Sequence, residues 1–248
     1  MPTSCTPASC PHSPPRRRFL DASLVAGAST FVGAASLSNV AYAGSMTKAQ
    51  RDKLTPDDVL ALMKKGNRRF SAGRRNDHNY LAQQRASAPA QYPVAVLLSC
   101  IDSRAPAETI MDLRIGDIFN SRIAGNVESV DVLGGMEFAC KITGAKVVLV
   151  MGHTACGAIK GAIDNAELGN LTALLAKIKP AVAATAYAGE RTSANYAFVD
   201  AVARKNVELT IANIRSGSPV LAGMESAGVI KIVGAMYNLQ TGVIDFLA

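Results

Sequence analysis

Tryptophan is absent from the 248 residues, and aromatic side chains of all kinds make up only 5% of them. Single-stranded nucleic-acid grooves need stacking platforms interleaved with basic residues, and the basic run from Lys48 to Ala88 has only Phe70 and Tyr80 to offer. Charge is sparse too, 18% against 49% apolar, which excludes disorder. Glycine (20) and proline (11) are too few and too irregular for a collagen-like or linker-rich chain. No internal repeat and no second domain boundary is visible. Five cysteines, an odd number, argue against a fully paired disulfide framework, because a chain of this length can build its own core. The formal net charge of +7 raises nucleic acid as a partner, so its position along the chain matters.

Residues 1–43 read as an address. Arg16-Arg17-Arg18-Phe19-Leu20 is followed by a stretch, Ala22 to Thr47, without a single charge. Ala, Gly and Ser dominate that stretch, and Ala41-Tyr42-Ala43 gives it a small-x-small end. Adjacent arginines before Phe-Leu resemble a twin-arginine export signal, with Pro15 and Asp21 as departures from the usual pattern. The expectation is cleavage near residue 43 and a periplasmic protein without stable membrane association. An uncleaved signal acting as an anchor is the alternative. The segment contains Cys5 and Cys10, and its three arginines and Asp21 account for part of the positive charge.

Residues 44–248 read as one α/β domain. Lys48 to Ala88 is expected to be helical, with Thr55-Pro56 as a cap and first helical position. Lys64, Lys65, Arg68, Arg69, Arg74 and Arg75 lie there and are read as a solvated or subunit-facing surface. Apolar runs at 94–98, 118–123, 146–151 and 229–233 have the length of strands covered on both faces, and 242–247 reads as an edge strand. Leu171, Leu174, Leu175, Ile178 and Val182 keep helical spacing between them. So do Val199, Ala203, Val207, Ile211 and Ile214, ended by Ser216-Gly217-Ser218-Pro219. Strands alternating with helices imply a central, mostly parallel sheet flanked by helices.

Chemistry-bearing residues follow two of the strands. One runs into Cys100-Ile101-Asp102-Ser103-Arg104, the other into Gly152-His153-Thr154-Ala155-Cys156-Gly157. In such sheets, sites form outside the carboxyl ends of strands. If the two strands are neighbours, Cys100, His153 and Cys156 converge. Two thiolates and an imidazole suit Zn²⁺, and three protein ligands leave a fourth position open, as catalytic sites do. Cys156 is expected in the first turn of a helix beginning near Thr154, where amides and dipole favour thiolate. Taken singly, His153 reads equally as a satisfied strand-end histidine and Cys100 as a buried apolar one. Asp102 could bind the metal itself or pair with Arg104, whose planar fork suits a carboxylate. Held by Arg104, it stays ionised and can orient a hydroxide. Cys140 reads as a small buried residue and His78 as a surface-helix or loop residue.

These motifs, with Arg122-Ile123-Ala124-Gly125-Asn126 and Gly66-Asn67-Arg68-Arg69-Phe70, resemble the β-class carbonic anhydrases from about Leu54 to the C-terminus. The resemblance implies one zinc per subunit on Cys100, His153 and Cys156, with Asp102 and Arg104 as a catalytic dyad. It implies a homodimer or dimer of dimers whose N-terminal helices pack on the partner. Gln91 and Phe119 match the substrate pocket of plant-like members, and Ala124 and Phe138 complete it, Phe138 standing where tyrosine is common. Because tryptophan is absent, the regulatory site of the bicarbonate-inhibited members is incomplete, which favours Asp102 off the metal. The activity implied is CO₂ + H₂O ⇌ HCO₃⁻ + H⁺ by attack of zinc-bound hydroxide. A zinc hydrolase of CS₂ or carbonyl sulfide, and a low-turnover zinc- or bicarbonate-binding protein, are the rival readings. Nucleic acid drops out as a partner.

Overall fold

The computed structural model describes residues 44–247. The export segment expected at 1–43 lies outside the described residues. Five strands follow in chain order: β1 (Ala95–Ser99), β2 (Ile118–Arg122), β3 (Val147–His153), β4 (Lys231–Tyr237) and β5 (Ile244–Phe246). They form one sheet in the order β2-β1-β3-β4-β5. All neighbours are parallel except β5, which returns antiparallel on β4 through a short turn. The helices are α1 (Lys48–Lys53), α2 (Pro56–Ser71), α3 (Tyr80–Ser87), α4 (Ala107–Ile110), α5 (Val130–Glu137), α6 (Gly157–Ile163), α7 (Gly169–Ala176), α8 (Lys179–Ala184), α9 (Tyr196–Gly217) and α10 (Pro219–Ser226). None of the described helices is long and apolar enough to cross a membrane.

Strand alternation divides the core between the two faces of the sheet. Val96, Leu98, Val148 and Val150 face α9 with Phe198, Val202 and Val207. Ala95, Leu97, Leu149 and Met151 face the other way, onto Val59 and Met63 of α2 and onto Ile110 and Met111. β1 and β3 are buried along their full length, as their uninterrupted apolar runs require.

The helical region expected at 48–88 is three helices. Leu54 turns extended, and Thr55 starts α2 with a capping box to Asp58 and Pro56 in its first turn. Residues 72–79 leave helical geometry because Asn76 and His78 bond to Asp112, across the chain. Gly66 brings α2 against backbone: a Cβ there would lie 1.8 Å from the Met111 carbonyl oxygen. Beside it, the Asn67 amide donates to the carbonyls of Ile110 and Gly242 and accepts from Ile244 N–H, tying α2 to β5. α2 therefore buries its apolar side in its own chain. The fourth strand begins at Lys231, two residues later than the apolar run. The amides of Val229 and Ile230 turn back to the Met224 carbonyl after Gly228 (φ +69°) and close α10 instead.

Candidate metal centre

β1 and β3 are adjacent, with Ser99 level with Met151, so the two motifs emerge side by side. The ligand atoms of Cys100, His153 and Cys156, all buried, lie within 4.8 Å of one another. The two sulfurs are 4.0 Å apart. That is far too long for a disulfide and close to the roughly 3.8 Å that two thiolates span on a tetrahedral zinc. His153 Nδ1 bonds the Thr154 carbonyl at 2.9 Å, which leaves Nε2, buried and without a hydrogen-bond partner, as the ligating atom. Without a cation the thiols compete. The sulfur–sulfur contact favours a single thiolate, lowering Cys100, while that contact and burial push Cys156 up. Burial depresses the imidazole of His153, but its contacts with Cys100 and the Thr154 carbonyl outweigh this and raise it. A divalent cation resolves the conflict, since only then can both sulfurs be thiolates. The donor set fits zinc, with a fourth position open.

Backbone groups brace the cluster. Gly125 N–H points at Cys100 Sγ, 3.4 Å away, and stabilises its thiolate. Gly125 needs its left-handed φ of +69°, and a Cβ there would meet Ile178 Cδ1 at 2.5 Å. α6 begins at Gly157 rather than near Thr154, so Cys156 is its N-cap instead of lying in its first turn, and the Ala158 and Ile159 amides still favour its thiolate. Between the ligands, Thr154 N–H donates to the Tyr237 carbonyl, and its hydroxyl accepts from Leu239 N–H. Ala155 follows at φ +53°, a conformation that costs a residue with a Cβ about 1–2 kcal/mol.

Asp102 is half of a fork with Arg104. Arg104 donates through Nε to Oδ1 (2.9 Å) and through Nη2 to Oδ2 (2.7 Å), and its backbone N–H adds a third bond to Oδ1. Arg104 thereby holds the carboxyl at about 2. Asp102 Oδ2 stands 3.8 Å from His153 Nε2, at the rim of the cluster. Arg122 secures the loop, donating to the carbonyls of Cys100 (3.0 Å) and Asp102 (2.5 Å). Its bracing role was not read from the sequence, although it opens one of the motifs.

The expected pocket residues separate into two places. Phe119 and Phe138 meet edge to face, ring centroids 6.2 Å apart, and Phe119 packs on the core that contains Cys100 and Cys156. Ala124 follows β2 beside Gly125. Gln91 is elsewhere: it precedes β1 whereas Cys100 follows it, and it lines an open cavity of about 470 Å³ with Ser87, Pro89 and Ile115. One chain does not bring Gln91 to its own cluster. Cys140 lies in a π-helical turn (Phe138–Ile142) after α5, buried, its thiol pushed up to about 12. His78 is not a surface residue. Its side chain is 2% exposed and bonds Asp112 (2.8 Å) and Gln83 (3.0 Å), in a hub where Asp112 also holds Arg69 and Asn76.

A mostly parallel sheet whose strand ends carry a buried Cys-His-Cys cluster beside an Asp–Arg fork is the architecture of an α/β metalloenzyme, and its donor set suits zinc. The family model described as carbonic anhydrase matches residues 95–244, from the start of β1 to the start of β5. The chain is 34% identical over 189 residues to carbonic anhydrase 2 of Mycobacterium tuberculosis, covering 75% of this chain and 90% of that one. Among solved structures, a β-carbonic anhydrase of Aspergillus fumigatus is 26% identical with a TM-score of 0.58, over 77% of this chain and 89% of that chain. A tetrameric β-carbonic anhydrase of Sordaria macrospora shares the fold at 24% identity and a TM-score of 0.58, over 65% of this chain and 83% of its own. The chain belongs to the β-class carbonic anhydrase family.

Proposed function

We propose that the protein catalyses the reversible hydration of CO₂ to bicarbonate and a proton. The observation that carries this reading is the ionised Asp102, forked to Arg104 and placed 3.8 Å from the metal-facing nitrogen of His153. Metal storage needs no such pair. Cys100, His153 and Cys156 would hold the zinc, which would supply Lewis acidity near neutral pH. Asp102, at the rim of the cluster, would accept a hydrogen bond from a nucleophile's O–H and orient it. Arg104 keeps that carboxylate ionised and turned. Phe119, Phe138 and Ala124 offer apolar surface to a substrate without a dipole.

Gln91 enters this scheme from a second subunit. It sits at the opposite end of β1 from its own cluster, so its amide serves a partner's pocket in a homodimer or dimer of dimers. The tetrameric relative supports that assembly, as do Ile101, Phe138 and Ile142, all exposed in a single chain. The adjacent Arg16-Arg17 and the charge-free stretch after them support export by the twin-arginine route.

Stopped-flow CO₂ hydration, run beside CS₂ and carbonyl sulfide hydrolysis on zinc-quantified protein, tests the activity. Fast CO₂ hydration with little turnover of the sulfur substrates is expected. Turnover of CS₂ or carbonyl sulfide alone would reassign the site, and no turnover of any of them would leave a binding protein.

A further inference from the structure

The turn between the two later ligands carries a strained residue whose amide has a dedicated acceptor. Ala155 N–H donates to Asp200 Oδ1 at 2.8 Å. Asp200 lies 45 residues further along, in the second turn of α9. Ala155 holds φ +53° between His153 and Cys156, and the left-handed region disfavours a residue with a Cβ. Without a partner its amide would be better satisfied in another conformation, which would swing His153 and Cys156 apart.

α9 is well placed to hold the turn. Gly152 lets the helix close on β3, since a Cβ there would come within 2.8 Å of Val207 and Met236. One side of α9 also braces the first ligand: Asn206 Nδ2 donates to the Gly125 carbonyl at 2.7 Å, and Gly125 N–H points at Cys100 Sγ. We infer that Asp200 is a positioning residue for the metal, fixing the His153–Cys156 turn through the Ala155 amide. The inference rests on zinc occupying the cluster and not on which substrate is turned over.

Zinc release from the full-length protein to a chromogenic chelator tests it, together with the unfolding midpoint of the metal-free protein. Asp200→Ala and the isosteric Asp200→Leu remove the acceptor, and Asp200→Asn keeps an oxygen for Ala155. Release about 10- to 100-fold faster than wild type is expected from whichever of Ala and Leu is folded, the usual effect of losing an outer partner of a metal ligand. Asp200→Asn should release zinc at near the wild-type rate, and the metal-free midpoints should coincide. Wild-type release from Ala or Leu overturns the inference. So does equally fast release from Asn, which would make the charge rather than the acceptor the cause. Fast release matched by a fall in the metal-free midpoint would also overturn it, leaving general stability as the role. Zinc-free wild-type protein would overturn the metal assignment itself, independently of any Asp200 variant.

Discussion

At the scale of residues, the centre depends on charges that exclude one another until a cation joins them. Cys100 and Cys156 cannot both ionise 4.0 Å apart in a buried site, yet both must be thiolates to hold a metal. Cys156→Ser is therefore expected to purify with little zinc and no activity, checked by metal analysis. Thiol alkylation followed by peptide mapping reads the same electrostatics. In zinc-loaded protein Cys100, Cys140 and Cys156 should all resist. After chelation Cys100, the thiol held down, should label before Cys156, while Cys140, pushed up to about 12 by burial, should label only on unfolding. The Asp102–Arg104 fork adds a pH signature. Asp102 has a folded value of about 2, below the roughly 3.9 of an unfolded aspartate. A depressed carboxyl contributes stability above its unfolded value and loses it as pH falls through the folded one. The gap in urea midpoint between wild type and Asp102→Asn should thus be flat above about pH 4 and narrow from there toward about pH 2. A gap that closes already above pH 5 would contradict the fork. These residues were legible in the sequence because their chemistry is concentrated in two short runs, 100–104 and 153–156, each at a strand end. His78, Asp112 and Asp200 were not. Their partners lie 34 and 45 residues away, and nothing local marks a buried contact of that range.

At the scale of elements, the strands were easier to read than the helices. β1 and β3 are buried on both faces and carry unbroken Val/Leu runs, so they coincide with the apolar pattern to within about two residues. The region at 48–88 has helical composition throughout, and its breaks come from capping by Thr55 and from the Asp112 hub that draws in Asn76 and His78. Composition alone does not show a hub across the chain. The motif Gly66-Asn67 gains a physical meaning from the structure: the first permits α2 to touch backbone, and the second pins it there. Gly66→Ala would force its Cβ into the Met111 carbonyl. Overpacking of this kind costs about 1–3 kcal/mol, so the unfolding midpoint should fall clearly while the zinc content of the folded fraction is unchanged. A midpoint equal to wild type would show that α2 can shift freely on the sheet.

At the scale of the whole molecule, tryptophan is absent and aromatics are sparse. Phe119 and Phe138 form the edge pair beside the metal residues. Part of the positive charge that first suggested nucleic acid lies in Arg16, Arg17 and Arg18, and much of the rest on exposed residues of α2 and the loop after it. In the proposed assembly a partner completes the pocket, since Gln91 stands at the opposite end of β1 from its own cluster. Light scattering should show a dimer or a multiple of it, and Gln91→Ala should raise KM more than it lowers kcat. Export should fail when Arg16 and Arg17 are both replaced by lysine, read as loss of the protein from the periplasmic fraction. The central claim is that a zinc held by Cys100, His153 and Cys156 works through the Asp102–Arg104 fork on CO₂. The most direct test is stopped-flow CO₂ hydration by wild type and Asp102→Asn, with zinc quantified in both. Full zinc occupancy in both, fast hydration by wild type, and a loss of about 10- to 100-fold in the variant are predicted. Near-wild-type hydration by a fully zinc-loaded Asp102→Asn would contradict it.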